Sequence, residues 1–251
     1  MLILAGSLLL LYVLSATACS ARLLWVVRRT RRAPELLLGA GVLLVTTVSL
    51  PLSLASGFGG AADRVHVGLW GVSELITQVG ILCLYGFAQQ TFRPAVGWAR
   101  GIVGAAALVM PIALAGALRG LAAAPPGTLS VAATGAWLLV CHLGYAGAFV
   151  WTAIEAFAHF GRARRRLALG LADPVVTNRF ALIAIYGVAC TGISLANAAA
   201  VVLERNIATS LVVVLPAGLL APVASGAMLL AILPPAWYQA RLRAATGLRT
   251  D

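Results

Sequence analysis

The chain has 251 residues, of which 61% are hydrophobic and 10% are charged, and its mean hydropathy is +0.98. A soluble domain needs more surface charge, so this composition indicates an integral membrane protein. All 18 basic residues are arginine, which excludes mechanisms that need a lysine amine, such as a retinal Schiff base. The net charge of +11 does not indicate nucleic-acid binding, because the arginines flank apolar segments, where the positive-inside rule and anionic lipid account for them.

Seven apolar segments follow one another along the chain, each close to the ~20 residues that cross a bilayer. The predicted helices are residues 2–27, 35–58, 67–91, 101–118, 129–160, 175–203 and 207–237. Asp173 and Pro174 predict an N-cap and first turn for the sixth helix. The connections are too short for another globular domain. The sequence therefore predicts a single-domain, all-α, polytopic seven-transmembrane-helix bundle.

The arginines divide unevenly between the two sides of this bundle. Three belong to one side: Arg64, Arg119 and Arg205. Fifteen belong to the other: Arg22, Arg28, Arg29, Arg31, Arg32, Arg93, Arg100, Arg162, Arg164, Arg165, Arg166, Arg179, Arg241, Arg243 and Arg249. The positive-inside rule then places the N-terminus outside and the C-terminus inside. We expect a multi-pass protein of a bacterial inner (plasma) membrane.

The third segment carries Glu74, Gln78, Tyr85 and Gln89 within a sector of about 60° on one helical face. The opposite face is apolar. A carboxylate facing lipid costs at least ~2.5–3.5 kcal/mol. We therefore expect this stripe to face other helices and the third helix to lie centrally.

Six polar or aromatic residues fall at similar depths in the predicted outer half: Glu74, Gln78, Ser53, Trp137, Ser194 and Asn197. The sixth helix has its own polar stripe, which we expect to meet that of the third helix. One hypothesis is an outward-facing pocket for a small or lipid-like ligand, with Glu74 as its charged anchor. The other is interhelical hydrogen bonding that only holds the bundle together, at ~0.6 kcal/mol per contact.

A second polar cluster is predicted at the inner end, where Glu155 and His159 share a face of the fifth helix. Glu155 is expected to neutralise Arg179 or Arg93. The alternative is a proton-responsive switch that includes His159, since histidine titrates near neutral pH. Tyr85 and the mid-membrane His142 are further candidates for a relay, although His142 is as readily explained by a hydrogen bond to a neighbouring helix.

The residues favour no catalytic or metal centre. His142 and His159 are 17 residues apart, roughly 25 Å along a helix, too far to share one zinc ion. The four cysteines lie singly in four apolar segments, as expected of buried free thiols. We predict no catalytic residue, metal or cofactor.

The run DPVVTNRFALIAIYG, residues 173–187, follows an arginine-rich connection. Together they resemble uncharacterised bacterial seven-span membrane proteins, some of which are similar to the input modules of sensor kinases. The resemblance implies a sensory or accessory role with a separate output protein in the cytoplasm or the membrane.

A sensory, receptor-like or accessory signalling bundle is therefore the leading functional prediction, with membrane lipid as a partner and the oligomeric state open. A small-solute transporter is the main alternative, but prolines do not repeat between the first and last three helices, as an internal repeat requires. An intramembrane lipid-processing enzyme with Glu74 or His142 as base is a second alternative.

Overall fold

The computed structural model describes residues 2–58, 64–123, 131–203 and 210–245. Within these ranges the α-helices are α1 (Leu2–Thr30), α2 (Ala33–Val42), α3 (Leu50–Phe58), α4 (Arg64–Phe92), α5 (Gly97–Ala123), α6 (Val131–Ala168), α7 (Pro174–Val202), α8 (Leu211–Ile232) and α9 (Ala236–Ala245). A π-helix, Leu43–Ser49, joins α2 to α3. The same ranges contain no β-strand.

Seven helical units in the described ranges are long and apolar enough to cross a membrane. They are Ser7–Thr30, Ala33–Ser56, Val67–Phe92, Gly97–Ala123, Thr134–Ala168, Pro174–Val202 and Leu211–Ile232. For the described residues, the all-α class and the number of helices that could cross a membrane are thus confirmed. The side of the membrane on which each terminus lies stays a prediction, and Arg205 and Arg249 lie outside the described residues.

The second span widens into the π-helix immediately before Pro51. Proline has no N–H to donate to the carbonyl of Thr47, four residues earlier, so regular α-helical bonding is interrupted there. A π-turn is a usual response to such an interruption. The hydroxyls of Thr47 and Thr17 lie 2.9 Å apart and tie this span to α1.

The spans form a closed ring in which each packs against its neighbours in sequence, and α8 returns to pack against α1. One contact crosses the ring, because α4 also packs against α6. The core includes Ile81 and Tyr85 from α4 and Cys141 and Tyr145 from α6. The third span therefore occupies a central position, as its polar stripe predicts.

Several helix ends differ from the sequence prediction, and the fourth span, Gly97–Ala123, extends beyond the predicted residues 101–118 at both ends. The fifth span continues to Ala168 instead of residue 160. The backbone is non-helical at Gly135 (φ 55°, ψ −148°), and the helix that follows this kink, residues 136–168, is about 50 Å long. It is longer than the ~30 Å bilayer core, so its last turns project beyond the membrane. The seventh span ends at Ile232, and the predicted end at residue 237 falls inside the separate helix α9. The predicted starts at residues 129 and 207 lie outside the described residues.

Candidate functional site

The polar stripe of α4 faces the bundle interior. Glu74 is 9% exposed and Gln78 is 1% exposed, whereas Val72, Leu75 and Val79 on the other faces are about half exposed. The predicted orientation of this helix is confirmed. Because α6 packs beside α4 along the same face, the stripe becomes a line of polar contacts, which we call the α4–α6 seam.

The first contact of the seam joins Glu74 to Tyr145. The Tyr145 hydroxyl donates a hydrogen bond of 2.7 Å to Oε2 of Glu74. The ion pairs of the described residues are Arg32–Glu35 and Arg93–Glu155, so Glu74 has no cationic partner in this part of the chain. A buried carboxyl group is therefore held by a neutral donor.

The second contact involves Gln78, one turn along α4 from Glu74. Its Nε2 donates to the Met110 carbonyl of α5 at 2.9 Å and to Sγ of Cys141 at 3.6 Å. Its Oε1 is buried and, among the described residues, accepts no hydrogen bond. A buried acceptor without a donor is costly, typically about 1–3 kcal/mol. Glu74 and Gln78 thus form a layer with more acceptor oxygens than donors.

The third contact lies further along the seam at Tyr85. Its hydroxyl donates to the Gly144 carbonyl at 2.8 Å. A Cβ at Gly147 would lie only 2.6 Å from that hydroxyl, so a residue without a side chain is needed there. The ring of Tyr85 also packs on Trp151, with centroids 6.0 Å apart. Aromatic packing thus continues the seam towards the arginine-rich end.

At the arginine-rich end, Arg93 forms an ion pair with Glu155. Nε of Arg93 donates to Oε1 of Glu155 at 2.7 Å, and the Glu155 side chain is only 5% exposed. This hydrogen bond, with the attraction between the two charges, raises the pKa of Arg93. The predicted neutralisation of Glu155 is confirmed with Arg93 as its partner, while Arg179 is exposed.

His159 does not pair with the Glu155 carboxylate. Its Nδ1 lies 2.9 Å from the Glu155 backbone carbonyl. Its ring packs against those of Phe92 and Phe180, with centroid distances of 4.9 and 5.6 Å. A side-chain pair between residues four apart competes with local backbone bonding, and here the backbone bond is formed instead.

His142 lies beside the seam and not in it. It shares a helical face with Phe149 and Ala153, which contact Gly187 of α7. The imidazole is 6% exposed, and neither ring nitrogen has a hydrogen-bond partner among the residues that the structure describes. Its ring meets that of Tyr145 edge-on at 5.6 Å. The sequence interpretation in which His142 bonds to a neighbouring helix is therefore not observed.

The six-residue outer pocket is not assembled as predicted. Over the described ranges the backbones of α4 and α7 do not pack against each other, since α6 packs against both. Only long side chains join them, such as Phe92 and Phe180 at the arginine-rich end. The stripe of α7 instead approaches α1, where the Tyr12 hydroxyl lies 3.9 Å from Sγ of Cys190.

The four remaining pocket candidates are dispersed. Ser194 donates to the Cys190 carbonyl of its own helix at 3.0 Å. Oδ1 of Asn197 is buried, and no described group donates to it. The Ser53 carbonyl accepts from Ser56. Trp137 is 46% exposed and covers Gly116 of α5. Of the six candidates, only Glu74 and Gln78 share a site.

Two parts of the site are not among the residues predicted from the sequence. They are Tyr145 and a cluster of hydroxyl groups beside Glu74. The Ser49 hydroxyl donates to the Ser73 carbonyl at 2.9 Å, and it lies 2.5 Å from the Thr77 hydroxyl. Ser73 and Thr77 are spaced i, i+4 next to Glu74, which was an available signal. Tyr145 had a signal too, since it follows Cys141 by one turn on one face of the fifth helix.

Two cavities border described residues, and neither is lined by Glu74 or Gln78. An enclosed apolar cavity of about 20 Å³ lies among Leu84, Phe149, Tyr186 and neighbouring residues, which is room for one water molecule. A cleft of about 670 Å³ lies between α5 and α6 beside Arg119 and Trp137. The side chains of Glu74 and Gln78 are themselves buried, at 9% and 1% exposure.

No protein-family model, curated protein or solved structure matches the chain. The resemblance to sensor-kinase input modules therefore stays a prediction. In the described part of the chain, no three His, Cys, Asp or Glu side chains gather closely enough to hold a metal ion.

Proposed function

We propose that the protein is a receptor-like membrane bundle that binds a small cation at Glu74 and passes the change along the α4–α6 seam. The observation that carries this proposal is the Glu74 carboxyl group, which is 9% exposed and hydrogen-bonded by the neutral Tyr145 hydroxyl. The cation is a proton or an alkali ion such as Na⁺. Each carries one positive charge, which neutralises the Glu74 carboxylate.

The electrostatic argument rests on the imbalance between acceptors and donors. An ionised carboxylate taken out of water without an opposite charge costs several kcal/mol, and ionisable groups at membrane depth usually mark ion or proton sites. Gln78 adds a buried carbonyl oxygen to which no described residue donates. A bound cation neutralises Glu74, and a cation that Gln78 also coordinates gives its Oε1 a partner, so binding stabilises the layer.

The seam supplies a physical connection from this layer to the arginine-rich end. Arg93 directly follows the last residue of α4 and comes 19 residues after Glu74, roughly 28 Å along the helix axis. Between them, Tyr85 bonds to α6 at Gly144, and Arg93 then bonds to Glu155. A ligand that changes the packing of α4 on α6 at one end thereby biases the same helix pair at the other end. An output protein reads that change at the arginine-rich end.

The first test is thermal unfolding of the purified protein in lipid nanodiscs. Unfolding temperatures are measured across a pH series, and separately in NaCl against choline chloride at equal ionic strength. The wild type is expected to gain stability in acid or in Na⁺, and Glu74→Gln is expected to lose that response. Glu35→Gln is the matched control, because Glu35 is 27% exposed at the start of α2. If Glu74→Gln responds to acid and Na⁺ as the wild type does, Glu74 does not bind the cation.

Small-solute transport is separated from this proposal by a flux assay in liposomes. A receptor-like bundle binds the cation without carrying it across the membrane. Net cation flux that Glu74→Gln abolishes and Glu35→Gln retains would assign transport instead.

A further inference from the structure

A pair of arginines lies on the face of α1 that points away from the bundle, far from the seam in sequence. The Arg22 guanidinium carbon lies 4.6 Å from the ring centroid of Trp25, and that of Arg29 lies 3.9 Å from the same ring. The three residues are spaced i−3 and i+4 about Trp25, so they share one face of the helix. The Trp25 ring is 43% exposed. One indole thus holds two guanidinium groups at the bundle surface.

This face of α1 points away from the protein. The opposite face is buried, with Cys19, Ser20 and Leu23 at 0%, 0% and 9% exposure, and α1 packs there against α2 and α8. Trp25 therefore faces lipid at one edge of the membrane, the usual position for an indole ring.

The two arginines carry like charges without a carboxylate among the described residues to neutralise them. A cation–π contact at an exposed site is only weakly stabilising, while two guanidinium groups beside one ring repel each other. An anion between them removes this repulsion. Guanidinium groups bind phosphate oxygens in paired, charge-assisted hydrogen bonds, which makes phosphate the fitting anion.

The surface next to the two arginines is suited to an acyl chain. Leu11 and Leu14 are 51% and 58% exposed and lie on the same helical face as Trp25. Between them and Trp25 are the small exposed residues Ala18 and Ala21. The result is a shallow apolar track that ends at the two guanidinium groups.

We propose that Arg22, Trp25 and Arg29 form a binding site for an anionic phospholipid, with its phosphate bound by the guanidinium groups beside Trp25 and one acyl chain along Leu14 and Leu11. A zwitterionic lipid fits less well, because its ammonium group meets two positive charges. Free phosphate shares the headgroup chemistry but lacks the acyl chain that the apolar track receives.

The test uses the purified full chain with three probes, which are dioleoylphosphatidylglycerol, dioleoylphosphatidylcholine and inorganic phosphate. Lipid adducts are counted by native mass spectrometry, and unfolding temperatures are measured at increasing probe concentration. Phosphatidylglycerol is expected to bind the wild type and stabilise it more than the other two probes do. The double variant R22Q/R29Q is expected to bind phosphatidylglycerol at least tenfold more weakly, since it loses both charge-assisted contacts to the phosphate.

The matched control is R28Q/R31Q, which removes the same charge from the same helix end. Both residues are exposed, and the described cation–π contacts to Trp25 come from Arg22 and Arg29. The control is expected to keep the preference for phosphatidylglycerol. Equal losses in both double variants would reduce the site to general surface charge and overturn the proposal. Equal stabilisation by inorganic phosphate would overturn the assignment to a lipid. All four arginines are exposed, so neither double variant is expected to disturb the fold. Unfolding temperatures measured in phosphatidylcholine check this.

Discussion

Two carboxyl groups are buried between the same two helices, and their partners differ. Glu155 of α6 accepts a charged hydrogen bond from Arg93 at 2.7 Å. Glu74 of α4 accepts one of equal length from the neutral Tyr145 hydroxyl. A buried charge with a countercharge holds helices together, whereas a buried acid without one is poised to take up a cation. Burial alone therefore does not distinguish a structural carboxyl group from a functional one.

The largest effect on stability is expected at the paired carboxylate. Arg93→Gln leaves Glu155 buried without a countercharge, so it should lower the unfolding temperature more than any other variant in this set. Glu155→Gln should lower it less, because Arg93 is 39% exposed and can be hydrated. The double variant should recover part of the loss from Arg93→Gln.

Arg100→Gln provides the control for this comparison, because it removes an exposed arginine from the neighbouring helix α5. If Arg93→Gln unfolds at the same temperature as Arg100→Gln, the ion pair does not stabilise the contact between α4 and α6.

A smaller loss is expected from Gly147→Ala, which tests the middle of the seam. The added Cβ lies 2.6 Å from the Tyr85 hydroxyl and displaces it from the Gly144 carbonyl. Overpacking of this kind costs typically ~1–3 kcal/mol. Gly218→Ala in α8 is the control, because the described residues leave open space around it, and alanine there should be neutral or stabilising. Equal stability of the two variants would show that Tyr85 relocates without cost.

The smallest effect on stability, with a large effect on binding, is expected from Gln78→Met. It removes the bonds to Met110 and Cys141, and it also removes the buried Oε1. These changes largely offset each other, so unliganded stability should change by less than ~1 kcal/mol. The cation response should fall at least about tenfold, since one ligand oxygen is lost. The response is measured in the same pH and NaCl series. An unchanged response would show that Gln78 is not a ligand of the cation.

The sequence was sufficient to predict the seven spans, the inward orientation of the Glu74 stripe and the neutralisation of Glu155. Each follows from the free-energy cost of exposing backbone or charge to lipid. That cost can be estimated from one helix and from the depth of a residue in the membrane, without knowing which helices are neighbours. The choice between Arg93 and Arg179 as the partner of Glu155 needed the structure, because both lie at the same end of the bundle.

The outer pocket could not be predicted in the same way. Periodicity gives the direction of Ser194 and Asn197 around α7, but not which helix lies in that direction. Over the described residues the helix packs against α6 and α8 and not against α4, and its Cys190 lies 3.9 Å from the Tyr12 hydroxyl of α1. The end of α6 was also predicted too early, because the run of arginines marks the membrane edge and not the helix end. Arginine is a good helix former, and the helix continues until the turn at Gly170, where φ is +70°.

The most direct test of the central claim counts the cations that Glu74 takes up. Proton binding per chain is measured by pH titration, and Na⁺ binding per chain is measured by calorimetry. Both are carried out in nanodiscs on the wild type, Glu74→Gln and Glu35→Gln. The account predicts one cation per chain at the seam, absent in Glu74→Gln and retained in Glu35→Gln. Uptake by Glu74→Gln equal to that of the wild type would contradict the account and leave Glu74 as a structural residue bonded to Tyr145.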